Sequence, residues 1–574
     1  MNEDLSEHGT PFIASRPINA WQLVKSYWQS DQRFYAYLFF AIAMILTILL
    51  VGIDVLVSYW SSYFYTAVQQ YDKRGVIRLF IVFCILATFF ILLAVYRYYM
   101  SQLFSLRWRR WLTNQLMGRW LKHRAYYLIE TFDKQTDNPD QRIQEDISSL
   151  VSSTIDLSVG LISSVTTLFA FIYILWQLSG NLKLSFGSLG TLHIAGGLVW
   201  VSIIYALIGT YFTIKIGRPL VSLNFEQQKR EATFRFAAVD LRLHSEHIAL
   251  YRGEHHQNQV LNRLFSRVLD NWYMIILRQK LLLWFTSGYG QIAIIVPLLV
   301  ALPNYFNKVF LLGGLMQSIR AFGSTQESLS FIVNSYTQLA QWQAISQRLT
   351  TFINHMNELE IKAAKENHLV FRQHADNSIL VRDLKISLPS GQILIKNINE
   401  TFKHGQNYLI KGASGIGKST FVRSLAGIWP FASGEIIFPE HQQVMYLPQK
   451  SYMPIGTLAD ALLFPDGDTA AAHSQLQQAL TVCQLESFIP RLYETASWSE
   501  QLSPGEQQRI AFARVLLQKP DWVFLDESTS MLDTISETQS YEMLKTQLPH
   551  CSIISVGHRP SLDAYHDHII HFKE

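Results

Sequence analysis

The sequence predicts two unlike halves: an α-helical transmembrane domain of six helices with long cytosolic extensions, then an α/β domain built around a phosphate-binding loop. Three observations predict it. Apolar segments of about 20 residues, the length that spans a bilayer core, recur up to about residue 345 and then stop. Short alternating segments follow, as strands of an α/β domain would give. One of them runs into Gly412-Ala-Ser-Gly-Ile-Gly-Lys-Ser419, which matches G-x-x-x-x-G-K-[ST].

At 574 residues the chain is too long for one compact core. Its 49% hydrophobic and 16% charged residues make it apolar against a soluble norm of about a quarter charged. The net charge is +4, with no basic stripe or reader motif, which speaks against a nucleic-acid partner. Cys84, Cys483 and Cys551 are far apart and form no C-x-x-C pair, so reduced and mostly buried thiols are expected. The start, Met1-Asn-Glu-Asp-Leu-Ser-Glu7, lacks a basic region ahead of an apolar core and reads as no cleaved signal peptide. The expected division is an N-terminal cytosolic or interfacial elbow at 1–33, a transmembrane domain at 34–345, a linker at 346–375 and a nucleotide-binding domain at 376–574.

Five spans are expected near 34–60, 77–100, 158–178, 192–214 and 281–302. A sixth, from Phe310 to Ala340, carries Arg320 and Glu327. A polar-streaked helix at membrane depth must face protein or a watery cavity, unless part of the segment lies outside the bilayer. The connections between the second and third and between the fourth and fifth spans are rich in Arg and Lys, from Arg107 to Arg142 and from Lys215 to Arg252. Positive residues accumulate on the cytoplasmic side, so the N-terminus is placed inside, and six crossings return the second domain to the cytoplasm. Both basic connections keep helical periodicity, which predicts long helices projecting from the membrane.

Trp21, Tyr27 and Trp28 precede the first span; they suit either a headgroup-layer elbow or ordinary packing. Asp54 lies in the outer third of that span. It either contacts a solute or a cation, or sits wet near the headgroups. His244, His247, His255 and His256 have no nearby Cys to complete a zinc set and read as a solvated helix face.

Ser378-Ile-Leu-Val381 and Tyr408-Leu-Ile410 read as strands, and Ser419 to Ala426 as a helix. Strand, glycine loop, helix is the context the motif requires. The loop residues Gly412, Ala413, Ser414, Gly415, Ile416 and Gly417 turn backbone N–H groups toward phosphate oxygens, and the helix start at Thr420 adds its positive end. Lys418 is placed to reach the β- and γ-phosphates of ATP, and the Ser419 hydroxyl to ligate Mg2+. Trp522-Val-Phe-Leu-Asp526-Glu527 is a buried strand ending in two carboxylates. Asp526 suits the magnesium shell and Glu527 the polarisation of an attacking water. Leu502-Ser-Pro-Gly-Glu-Gln-Gln-Arg509 precedes it and Ser555-Val-Gly-His558 follows.

These motifs together resemble the ATP-binding cassette transporters, in which the L-S-x-G-[EQ] run is characteristic. The resemblance implies that Ser503 and Gly505, with Glu506 beside them, cap the γ-phosphate of ATP held by another subunit's glycine loop. It implies that His558 meets that phosphate from the other side, that Gln449 of Tyr446-Leu-Pro-Gln449 reaches magnesium, and that Asp533 communicates across a dimer. Arg107-Trp-Arg-Arg-Trp-Leu-Thr113, Asp137 to Asp146, Gly314-Leu-Met-Gln317, Leu223 to Ala232 and Glu246 to Glu254 extend the likeness along nearly the whole chain. They resemble the subfamily shared by peroxisomal fatty-acyl (subfamily D) and bacterial SbmA/BacA-like transporters, and the fused arrangement is most similar to YddA-type proteins and the mycobacterial cobalamin importer. In that likeness Asp137 to Asp146 and the Glu246 segment would be cytosolic elbows pressing on the ATP-binding domain.

Two positions depart from the pattern. Leu388 stands where many cassettes place an aromatic against adenine, and Pro504 replaces a common glycine and removes one N–H.

One glycine loop and one signature per chain imply a half-transporter in which a second copy completes each ATP site, as a homodimer or with a related half. The expected activity is ATP hydrolysis coupled to solute translocation through membrane lipid. Cobalamin, a peptide and fatty acyl-CoA all stay open as solutes, as does a non-transporting ATP-gated regulator. Localisation is expected in a bacterial inner (plasma) membrane.

Overall fold

The computed structural model describes residues 17–132, 139–179, 181–185, 191–465 and 473–572. Met1 to Glu7 and Asp137, named above, lie outside them. The chain divides into two compact units, Met1–Lys122 with Gln135–Asn357, and His123–Lys134 with Glu358–Glu574.

The first unit is helical. Helix α1 (Ala20–Trp28) starts at Asn19, whose side chain caps Gln22 while Gln22 caps Asn19 in return, satisfying two otherwise orphaned N–H groups. Tyr27 is buried and stacks on Trp108 with centroids 5.2 Å apart, whereas Trp21 is exposed. Of the three aromatics considered for an elbow, Tyr27 is therefore ordinary packing. Helices α2 (Arg33–Gln69) and α3 (Lys73–Leu121) follow, then α4 (Ala125–Phe132), which belongs to the second unit. After it come α5 (Ile147–Ser179), an antiparallel pair β1 (Asn181–Ser185) and β2 (Thr191–Ala195), α6 (Gly197–Leu243) and α7 (Glu254–Phe306). Among the described residues, five helical segments are long and apolar enough to cross a membrane, and α2, α3, α5, α6 and α7 supply them. The fourth span begins later than expected from 192, because 191–195 pair as β2 and the helix starts at Gly197.

Helix α8 (Leu312–Leu329) is the polar-streaked sixth and is not among those five. It packs against α2, α5, α6 and α7, burying Gln317, Ser318 and Thr325 together with Phe322. Such a helix keeps its polar groups on protein rather than lipid. Gly313 makes the contact with α2 possible: a Cβ there would fall 1.8 Å from the Ser62 carbonyl oxygen. Asp146 is buried in this unit, and Arg348 grips it with Nη2 on Oδ1 at 2.6 Å and Nε on Oδ2 at 3.0 Å, a bidentate pair. The stretch 346–375, expected as a linker, consists mostly of the end of helix α9 (Tyr336–Glu366) and strand β3 (His368–His374).

The second unit is α/β. Strands β4 (Ser378–Ser387), β5 (Ile393–Lys403) and β6 (Tyr408–Lys411) lead into α10 (Lys418–Leu425). Then come β7 (Ala432–Pro439), β8 (Val444–Leu447), α11 (Leu458–Leu463), α12 (His473–Val482), α13 (Pro504–Gln518), β9 (Trp522–Asp526), α14 (Thr534–Gln547), β10 (Ser552–Val556) and β11 (His568–His571). One sheet has the order β3-β7-β4-β5, antiparallel except for β3 beside β7. The other is parallel throughout, β11-β6-β10-β9-β8.

Parallel strands covered on both faces read as continuous apolar runs, and Trp522, Val523, Phe524 and Leu525 are all buried. Phe421, Phe524, Ile554 and Trp429 share one core with the β3-β7-β4-β5 sheet, and Phe512, Val523 and Trp498 share a second with α13. The segment containing α4 packs here too. Phe132 meets Trp429 and Phe431 edge-on at 5.3 and 5.1 Å, and Arg124 Nη1 donates to the Gly427 carbonyl at 2.8 Å.

Candidate functional site

A parallel sheet sends all its carboxyl ends to one edge, where ligands of α/β folds bind. Here β6 ends in the glycine loop, β8 leads to Gln449, β9 ends in Asp526 with Glu527 just beyond it, and β10 leads to His558. Residues separated by more than a hundred positions meet for that reason.

The loop bends through Gly415 and Gly417, both at positive φ. Gly417 has φ 104°, and a Cβ on it would lie 2.7 Å from the Leu394 side chain, so both conformation and space select glycine. Ala413, Ser414 and Gly415 are exposed, while Gly412, Ile416 and Thr420 are partly covered. Lys418 is buried and folds back over the loop, donating to the Gly412 and Ala413 carbonyls at 2.9 and 3.0 Å. Burial lowers its pKa, and the Glu527 and Asp526 carboxylates oppose that shift.

Ser419 Oγ donates to Asp526 Oδ1 at 2.9 Å. Burial raises the Asp526 pKa, against the Ser419 bond and the Arg423 charge. Glu527 sits at φ 48°, a left-handed conformation uncommon for a side-chain-bearing residue. Its N–H is pinned to the Val556 carbonyl at 3.1 Å, and its carboxylate is held from two sides. Gln449 Nε2 donates to Oε2 at 3.0 Å, and His558 Nε2 lies 3.5 Å from Oε1. Lys418, Ser419, Gln449, Asp526, Glu527 and His558 thus form one cluster at the sheet edge.

Ser503, Gly505 and Glu506 form a separate one. Ser503 caps α13 and Glu506 caps back, with Glu506 Oε2 accepting from Ser503 N–H and Oγ at 2.8 Å each. Pro504 occupies the first helical turn, where its missing N–H would lack an intrahelical partner anyway; that accounts locally for the proline. Gly505 would give a Cβ only ordinary contacts, 3.6 Å from Leu532 and from the Met531 carbonyl. Asp533 caps α14 through Ile535 and Ser536 at 2.9 Å. Leu388 closes the turn after β4, its N–H on the Gln392 carbonyl at 2.8 Å, and packs against the core.

Ser419 Oγ, the Asp526 carboxylate to which it bonds and the Gln449 side-chain oxygen are hard oxygen donors of this cluster, with one carboxylate among the three. That set fits Mg2+, which takes one or two carboxylates and completes its shell with phosphates and water. Sequence reasoning missed Arg514, a buried cation on α13 that donates to the Tyr452 and Ala461 carbonyls at 2.6 Å each. Burial pulls its pKa down to about 10. An Arg in an apolar helix pattern carries no sequence signal for such burial.

A membrane-helix unit joined to a P-loop α/β unit of this topology is the architecture of an ATP-driven transporter. Residues 23–306 match the family described as ABC transporter transmembrane region 2, and residues 395–530 match ABC transporter. The chain is 33% identical to the inner membrane ABC transporter ATP-binding protein YddA of Escherichia coli, over 94% of each chain. It is 29% identical to ABC transporter D family member 2, chloroplastic, of Arabidopsis thaliana, over 96% of this chain and 85% of the relative. A bacterial Atm1-family ABC exporter solved with ATP bound shares the fold, with a TM-score of 0.72 over 93% of each chain and 18% identity. The chain belongs to the ABC transporter family and is an ATP-hydrolysing half-transporter of that family.

Proposed function

We propose that two copies of this chain form a homodimer that moves a hydrophilic solute across a bacterial inner membrane, with the N-terminus and the ATP-binding unit in the cytoplasm. The observation that carries the catalytic part is the hold on Glu527: Gln449 donates to one carboxylate oxygen and His558 lies beside the other. In this reading Lys418 and the loop N–H groups from Gly412 to Thr420 bind the ATP phosphates. Ser419, Asp526 and Gln449 hold Mg2+, which would neutralise phosphate charge when bound. Glu527 orients water and takes its proton. His558 steadies Glu527 and faces the γ-phosphate, while Ser503 and Gly505, with Glu506 fixing Ser503, cap the nucleotide of the second copy.

ATP can drive the cycle only through its different affinities for the closed and open pair. Hydrolysis removes the γ-phosphate that bridges the two copies and lets them part. A hydrophilic solute is favoured by Asp54 and Arg320, charged and half-exposed in the membrane unit, where such residues mark a polar path.

Glu527→Gln in purified, reconstituted protein tests the reading. ATP should still bind, turnover should fall by about 10²-fold or more, and cross-linking should trap a closed dimer. Robust turnover by this variant, or full activity from a strict monomer, would remove the proposal.

A further inference from the structure

Gln508 lies in the second turn of α13 and is only 2% exposed. Both ends of its amide are committed to main-chain groups of two different loops. Nε2 donates to the Gln449 carbonyl at 3.2 Å, and Oε1 accepts the Met531 N–H at 3.2 Å. Gln449 is the residue whose side chain holds Glu527. Met531 lies on the turn between Glu527 and Asp533. The adjacent Gln507 behaves differently: it donates to the Ser499 and Leu502 carbonyls at 2.9 and 3.0 Å, and so only tidies the approach to its own helix.

A side chain that must donate at one end and accept at the other, in a dry place, has to be an amide or its near equivalent. Ser503, which caps the same helix, is little more than one turn away. A displacement of the signature is therefore delivered to the Gln449 backbone and to the Met531 turn together.

We propose that Gln508 is a positioning residue for ATP hydrolysis. It ties the signature helix to both loops flanking Glu527, so that the carboxylate is aimed only while the signature is seated. The proposal rests on the role given to Glu527 above. The Gln508 amide is committed to the Gln449 carbonyl and the Met531 N–H, so its effect falls on turnover and not on ATP capture by the glycine loop.

The test is steady-state ATPase of full-length, reconstituted protein, comparing Gln508→Met and Gln508→Glu with the parent at pH 6 to 8. Gln508→Met keeps the volume and removes both bonds. Its kcat should fall about tenfold with KM for ATP within about twofold. Gln508→Glu keeps the bond to Met531, but as a carboxylate it repels the Gln449 carbonyl; as a neutral acid it donates to that carbonyl again. Its activity relative to the parent should rise as pH falls, while the Gln508→Met ratio stays level.

An unchanged kcat in Gln508→Met, or a level pH ratio in Gln508→Glu, would overturn the proposal, the second by reducing Gln508 to packing. Should Gln508→Met fail to fold, the Gln508→Glu profile decides alone. Glu527→Gln is run beside them: if it turns over normally, the site reading itself fails, whereas its loss with a normal Gln508→Met overturns only the positioning role.

Discussion

Asp54 of α2 and Arg320 of α8 meet at 3.6 Å, with side chains 47% and 42% exposed. Further along the same two helices Ser62 faces Gly313, so the pair extends an antiparallel contact. Half-exposed pairs couple weakly in water, but a charge left alone among membrane helices is costly. Asp54→Asn is expected to destabilise the protein in lipid nanodiscs more than the double variant Asp54→Asn/Arg320→Gln does relative to Arg320→Gln. A four-member thermal-unfolding cycle should give a coupling of about 1 kcal/mol; none at all would make the pair incidental.

In the proposed site, Lys418 should give ATP binding its pH dependence. Burial, the larger effect, sets its pKa below that of an ordinary lysine despite two nearby carboxylates. Phosphate binding favours the ammonium form, so affinity is complete while the lysine is charged and falls as pH rises through its free-state pKa. The fall should begin at lower pH than a surface lysine would give. Equilibrium binding of a fluorescent ATP analogue between pH 7 and 10 measures this. Lys418→Arg binds less well for geometric reasons but stays charged throughout, so its slope should flatten; an unchanged slope would assign the titration elsewhere.

Much of this was legible in the sequence because it is written in local patterns. The Gly412–Ser419 loop, the strand ending at Asp526 and the membrane helices depend on spacing and hydrophobic runs, and the fold keeps them. Asp54 and Arg320 could each be seen, but not their pairing, since nothing in a chain read residue by residue sets helix register across more than 250 positions. Tyr27 failed as a headgroup aromatic because Trp108, eighty residues on, offers it a stacked partner. The docking of Phe132 between Trp429 and Phe431 was likewise out of reach. Its segment looked like part of a basic helical loop, and only tertiary packing moves it into the ATP-binding unit. Gln508 sat inside the recognised signature run, yet its two partners lie on loops that converge only when β8 and β9 pair.

His566 makes the stability of the ATP-binding unit depend on pH. Its Nδ1 lies 2.7 Å from the Leu562 carbonyl, which can only accept, so Nδ1 carries the hydrogen. In the neutral ring Nε2 then accepts from Ser555 Oγ at 2.8 Å, and Ser555 in turn accepts from Tyr541 Oη at 2.9 Å. Burial is the largest influence and holds the pKa below 6.5, Lys545 acts the same way, and the Leu562 bond, Asp567 and Asp563 oppose it. The unfolded chain therefore takes up this proton first, and stability rises with pH in the range where the two states differ. It is complete above about pH 6.5 and is lost as pH falls from there toward the lower folded value. Thermal unfolding of the full chain at pH 7.5 and 5.5 should show that loss, and His566→Gln should shrink the difference between the two. Tyr541→Phe removes one buried hydrogen bond, costs about 1 kcal/mol, and should leave the pH difference largely in place, because Ser555 still meets the neutral ring. An equal pH difference in the parent and in His566→Gln would move the titrating group elsewhere.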